Sequence, residues 1–214
     1  LNVKMNKEGY DDIGDVLQRG TVALSPEAFE AAANETGAVV LDVRHQNDFA
    51  KAHVPRSIFI GLNGSFAPWV GALIADVKQP ILLITPEGKE EETITRLSRV
   101  GFDGTIGYLD GGLAKWIAAG KETDSVRSIS ADSFKKHVED GEPIFDVRKE
   151  SEYTAEHVDN AHLTPLDFLN DYLSEFPKNE TFYCLKNRVK KQLIKSKLIL
   201  TVHTIFEMSL LLMH

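Results

Sequence analysis

Short unbroken apolar runs alternate along this chain with longer stretches that open on capping residues and close on glycine. Ala38-Val39-Val40-Leu41, Pro80-Ile81-Leu82-Leu83-Ile84 and Thr105-Ile106-Gly107-Tyr108-Leu109 read as strands, the first two continuous enough to be buried on both faces. Ser25-Pro26-Glu27 starts a helix with a capping hydroxyl, proline in the first turn and an acid beside it; Phe29 to about Glu35 continues it and Gly37 stops it. A second helix is predicted from about Glu90 to Val100, ending at Gly101, and a third from Leu113 to Ala119 after the turn Asp110-Gly111-Gly112. Strands alternating with helices predict a parallel sheet.

The pattern then starts again. Ser130-Ala131-Asp132-Ser133 caps a helix through Phe134 and Val138, Gly141 stops it, and Pro143-Ile144-Phe145 enters a strand. Leu166 to Phe176 is predicted as a helix and Thr181-Phe182-Tyr183-Cys184 as a strand. The repeat is also literal. Leu41-Asp42-Val43-Arg44, Asp48-Phe49 and His53-Val54 recur as Phe145-Asp146-Val147-Arg148, Glu152-Tyr153 and His157-Val158, each 104 residues on without a gap. That period is too long for a solenoid unit and suits a domain. The expected organisation is a polar lead-in or linker over 1–23, a first domain over 24–122, and a second over 128–214 that diverges or is truncated after Cys184.

Charge and composition narrow the function classes. A net charge of −8 over 214 residues argues against a general nucleic-acid binder. One cysteine excludes an intrachain disulfide framework and a cysteine-rich zinc site, and fits a reducing compartment such as the cytoplasm. No segment has the apolar length of a membrane helix, and the N-terminus has no signal-peptide core. No metal or cofactor is expected.

The last thirty residues differ in kind. From Leu185 to His214 there is no Gly, Pro, Ala or Asp, and the charge is +5 against −13 for the rest. This abrupt change is read as a damaged or out-of-frame C-terminus, with divergence as the alternative. The chain opens on Leu1, so it is also read as an excerpt or a processed product.

Taken as an ordered set, Leu41-Asp42-Val43-Arg44, Asp48-Phe49, His53-Val54-Pro55 and Leu109-Asp110-Gly111-Gly112 with Trp116 resemble the rhodanese-like (sulfurtransferase) family, in tandem. The resemblance implies an α/β fold: two rhodanese-like domains with parallel central sheets flanked by helices, the second incomplete. The lead-in Asn2 to Lys7 and the stretch Gly61 to Ile74 are similar to rhodanese pairs fused behind metallo-β-lactamase-fold hydrolases of the persulfide dioxygenase-like group. That implies an upstream metal domain as partner, since no His-x-His-x-Asp-His motif occurs in this chain.

The resemblance also implies chemistry. Members carry sulfane sulfur as a cysteine persulfide, on a loop Cys-x-x-Gly-x-Arg that opens a helix at a strand end. Backbone N–H groups and the helix terminus favour the anionic sulfur there. In the first unit the loop is Thr85-Pro86-Glu87-Gly88-Lys89-Glu90, followed by Glu91 and Glu92. A threonine hydroxyl without a base forms no persulfide, Pro86 removes a backbone donor, and the acids repel an anionic sulfur donor while suiting the helix dipole. In the second unit Cys184 takes the cysteine position, with Asn187 for the glycine and Val189 for the arginine. Asn tolerates left-handed backbone. Lys186, Arg188, Lys190 and Lys191 would lower a thiol pKa; the alternative is an inert core cysteine.

Asp42, Arg44 and His53, with Asp146, Arg148 and His157, are expected to brace the loops at the strand ends through Arg–carboxylate and backbone hydrogen bonds rather than to act as acids or bases. Phe66 and Trp69 are read as core, with a partner-binding patch as the alternative. Glu90-Glu91-Glu92 point in different directions on a helix and are not expected to bind metal. Three functions follow. The first is a non-catalytic tandem module that accompanies a sulfur-handling hydrolase, docking to it or presenting a small sulfur donor or carrier. The second is a sulfurtransferase acting through a Cys184 persulfide, and the third, remotely, a phosphatase using the same cysteine.

Overall fold

A computed structural model describes residues 12–177, 181–185 and 199–202. The lead-in Asn2 to Lys7, residues 186–198 and most of the C-terminal stretch, on which several expectations rest, lie outside the described residues. The chain divides into two compact units with the boundary between Asp124 and Ser125.

In the first unit the elements are α1 (Ile13–Gly20), β1 (Ala23–Leu24), α2 (Pro26–Thr36), β2 (Val39–Asp42), α3 (Gln46–Lys51), β3 (Ile58–Phe59), α4 (Phe66–Leu73), β4 (Ile81–Ile84), α5 (Glu90–Ser98), β5 (Thr105–Leu109) and α6 (Gly112–Ala118). The five strands stand in the order β1-β5-β4-β2-β3, every pair parallel. Parallel pairing requires crossovers, and the helices supply them, covering both faces. All four residues of β2 and of β4 are buried accordingly. One face packs Val40, Leu82 and Ile84 under Phe29, Leu113 and Trp116. Phe29 meets Trp116 edge-to-face at 6.1 Å, and the Trp116 indole N–H donates to the Glu122 carbonyl at 2.7 Å, which satisfies its polar tip.

The capping chemistry read from sequence is in place. Ser25 accepts from the Ala28 N–H at 3.3 Å, Pro26 opens α2, and Gly37 ends it with φ +64°. Gly111 and Gly112 both take positive φ, +68° and +58°, at the entry to α6, where a side-chain-bearing residue would be strained. Residues 13–20 differ from the expected lead-in: they form a helix that contacts α5 and β5. Asp12 caps it, accepting from the Gly14 N–H at 2.8 Å.

The second unit contains β6 (Arg127–Ile129), α7 (Ala131–Glu139), β7 (Ile144–Asp146), α8 (Glu150–Ala155), β8 (His162–Leu163), α9 (Leu169–Tyr172) between two single 3₁₀ turns, β9 (Phe182–Leu185) and β10 (Ile199–Val202). The helix predicted over 166–176 is thus broken into three pieces. Phe134, Ile144, Ala161, Tyr183 and Leu185 form one core, while Phe145 stacks on Phe176 and meets Phe182 edge-to-face. The strand order β6-β10-β9-β7-β8 reproduces that of the first sheet, and β8, β7 and β9 are parallel. The strand at the β5 position, β10, runs antiparallel to both β9 and β6. An antiparallel neighbour needs no helical crossover. The residues between β9 and β10 and those after β10, where counterparts of α5 and α6 would fall, lie outside the described residues.

Candidate functional site

Ligand sites in open parallel sheets lie outside the carboxyl ends of the strands. In the first unit that edge is built around Asp42. Its carboxylate is fully buried and accepts the backbone N–H of Arg44 at 3.0 Å, the guanidinium Nε at 3.0 Å and Nη2 at 2.6 Å. Arg44 Nη2 also donates to the Ala52 carbonyl at 2.9 Å, tying the strand end to the end of α3. Burial pushes the Asp42 carboxyl up, and the Arg44 guanidinium opposes that shift.

The second copy repeats this geometry. Arg148 donates to Asp146 through Nε at 2.8 Å and Nη2 at 2.5 Å, and to the Glu156 carbonyl at 2.9 Å. The Arg148 pKa is raised, mainly by its hydrogen bonds to Asp146. It is also the deeper of the two, with the arginine side chain 1 % exposed against 14 % for Arg44.

His53 and His157 make matching local contacts. Each places Nδ1 2.9 Å from the carbonyl four residues back, that of Phe49 or Tyr153, and stacks on that aromatic ring at 4.0 Å. A carbonyl only accepts, so Nδ1 carries the hydrogen in both. The two differ in cover. His53 is buried and its backbone pairs with Asp124 through two 2.9 Å hydrogen bonds, whereas His157 is exposed. Burial holds the His53 pKa below its usual value.

The loop after β4 holds the positions that the resemblance gives as the sulfur-carrying loop. The Val43 N–H donates to the Ile84 carbonyl at 2.9 Å, so Thr85 leaves the sheet directly beside the Asp42 brace. Thr85 is 7 % exposed. Pro86, Glu87, Gly88 and Lys89 follow on the surface, turned by Gly88 at φ +73° and by the Lys89 N–H bonding the Pro86 carbonyl at 3.1 Å. Glu90 then opens α5, and its Oε1 accepts from Thr85 Oγ1 at 2.9 Å. Glu92 lies between Lys89 and Arg96, each at 2.7 Å, and Glu91 is exposed. The three glutamates therefore diverge, each with its own surroundings. Arg96 also reaches the Leu62 carbonyl at 2.8 Å, linking α5 to the stretch that leads into α4. On α4, Phe66 is buried and Trp69 half-buried.

Cys184 is not placed as Thr85 is. In the first sheet Leu41 pairs with Leu83 and Asp42 with Ile84; in the second, Phe145 pairs with Cys184 and Asp146 with Leu185. The Val147 N–H donates to the Leu185 carbonyl at 3.1 Å, as Val43 does to Ile84. Cys184 is thus the counterpart of Leu83, inside the strand and two residues short of the loop position. It is buried, and desolvation pushes its thiol pKa up to about 12. The residue after Leu185, at the rank of Thr85, is Lys186, which lies outside the described residues, as do the other basic residues expected around the thiol.

Sequence reasoning missed two partners at this edge, Glu90 for Thr85 and Asp124 for His53. Glu90 sits five residues from Thr85, across a turn, and no periodic pattern couples such positions. Asp124 is the last residue of the unit, in a stretch read as a boundary.

Among solved structures, the chain is similar to thiosulfate sulfurtransferase from Pseudomonas aeruginosa, with 20 % identity and a TM-score of 0.42, covering 72 % of this chain and 33 % of that one. It is also similar to the single-domain sulfurtransferase RDL2 of Saccharomyces cerevisiae, with 19 % identity and a TM-score of 0.37, covering 47 % of this chain and 91 % of the yeast one. A rhodanese-related protein from Thermoplasma volcanium matches at 18 % identity and a TM-score of 0.36, covering 48 % of this chain and 96 % of that one. The chain thus spans a third of the length of the Pseudomonas protein. No curated protein matches. The sequence description of the rhodanese-like domain fits residues 25–119 and again 130–203. With two copies matched over most of its length, the chain belongs to the rhodanese-like domain family.

Proposed function

We propose that this chain is a non-catalytic tandem rhodanese-like module that accompanies a sulfur-handling hydrolase of the metallo-β-lactamase fold, docking to it or presenting a sulfur carrier. The observation that carries this reading is the Thr85 hydroxyl, which stands at the loop position after β4 and is spent on Glu90. A hydroxyl held by a carboxylate is no sulfur carrier, because carriage requires a thiolate. The mid-strand position of Cys184 and its raised pKa weigh in the same direction for the second unit. The choice of partner rests on the similarity of residues 2–7 and 61–74 to domain pairs found behind such hydrolases.

Intact-mass measurement after incubation with thiosulfate tests the chemistry. An unchanged mass is expected; an added sulfur on Cys184 would move the protein to the sulfurtransferase reading. Size-exclusion chromatography with a purified persulfide dioxygenase-type hydrolase tests the partner. Co-elution is expected, and separate elution at micromolar concentrations would remove the accompanying role.

A further inference from the structure

The loop after β4 carries four acids, and they are not equivalent. Glu87 and Glu91 face solvent. Glu92 is neutralised by Lys89 and Arg96. Glu90 is half-buried and turns back over the loop, so that its Oε1 lies 2.9 Å from Thr85 Oγ1. The residue-85 side chain is almost wholly enclosed, and its one polar atom is committed to that carboxylate.

We propose that Glu90 is the specificity-determining residue of this degenerate loop: its carboxylate takes the place at the residue-85 side chain that an anionic sulfur group would need, so the loop excludes anions even when a sulfhydryl is supplied there. The proposal rests on the non-catalytic reading and adds a second cause to the missing thiol. Its physical basis is direct. A thiol at position 85 would donate its S–H to Glu90, which favours the protonated form. On ionisation it would face a negative charge at hydrogen-bonding distance, which disfavours the thiolate. The thiolate is the nucleophile, so reactivity falls with it.

The test uses the full chain in three forms: Thr85→Cys, Thr85→Cys with Glu90→Gln, and Thr85→Cys with Glu91→Gln. The ultraviolet absorbance of the thiolate is followed against pH, with Cys184→Ser in all three forms so that position 85 carries the only thiol. Glu90→Gln is expected to lower the pH midpoint by about one unit or more, a roughly tenfold gain in thiolate at neutral pH. Glu91→Gln removes the same charge one residue away and is expected to shift it by less than a third as much. Equal midpoints with and without Glu90→Gln, or equal shifts from the two glutamates, would overturn the proposal. If Glu90→Gln does not fold, as judged by its melting curve, Glu90→Ala supplies the same comparison. Thiocyanate formation by the unsubstituted chain would sink the non-catalytic reading and leave the Glu90 midpoint shift to stand or fall by itself.

Discussion

Cys184 pairs with Phe145 in the second sheet, one residue before the strand ends. Its thiol is enclosed in the core, with a pKa raised to about 12 by burial. The native protein is therefore expected to resist alkylation at pH 8 and to react only after unfolding, so that the rate follows denaturant concentration. Stoichiometric modification within minutes under native conditions would show that the thiol is accessible and that this register does not hold in solution.

His53 makes the first unit sensitive to acid. Burial lowers its folded pKa below the ordinary 6.5. The unfolded chain then binds a proton that the folded one refuses, so stability is fully present above about pH 6.5 and is lost as pH falls from there through the lowered folded pKa. Asp42, Arg44 and Asp124 are the charged groups that act on this imidazole, and the two carboxylates soften the effect. Denaturant midpoints of the first unit between pH 7.5 and 5 are expected to fall, and to fall less in His53→Asn. A flat profile in the unsubstituted chain would contradict the buried, neutral imidazole.

The two arginine braces should differ in what they contribute. Removing one partner of a buried ion pair typically costs about 3–5 kcal/mol, because the other charge is left without compensation. Arg148 is more deeply enclosed than Arg44, so Asp146→Ala is expected to destabilise its unit more than Asp42→Ala destabilises the first. Urea unfolding of the two variants checks the order. A reversed order, or a loss under about 1 kcal/mol in both, would mean that the arginines find water when their carboxylates are removed.

Much of the first unit was legible in its local chemistry. Ser25 and Pro26 open a helix as their types predict, and the apolar run at 81–84 is the strand buried on both faces. The helix over 13–20 was not legible, because it buries only Val16 and Gly20 and leaves Ile13 45 % exposed. Residues 166–176 carry helical apolar spacing and turn one stripe inward, with Leu169 and Phe176 buried and Leu166, Tyr172 and Leu173 half-buried, yet the segment breaks into three pieces, which this pattern does not explain. The direction of β10 is not a local property, since Ile-Leu-Thr-Val is a strand sequence whichever way it runs. Cys184 was set against Thr85 by its place near a strand end, and only the hydrogen-bonded register beside Asp146 separates the two positions. The braces were readable because the Asp-x-Arg spacing is itself the geometry: two residues apart, both lie within reach of one carboxylate.

The most direct test of the account is the formation of thiocyanate from thiosulfate and cyanide by the purified chain, with and without Cys184→Ser. The account predicts that both proteins give only the uncatalysed rate. Turnover by the unsubstituted chain would contradict the central claim, passing through Cys184 if Cys184→Ser abolishes it and through no sulfhydryl at all if it persists.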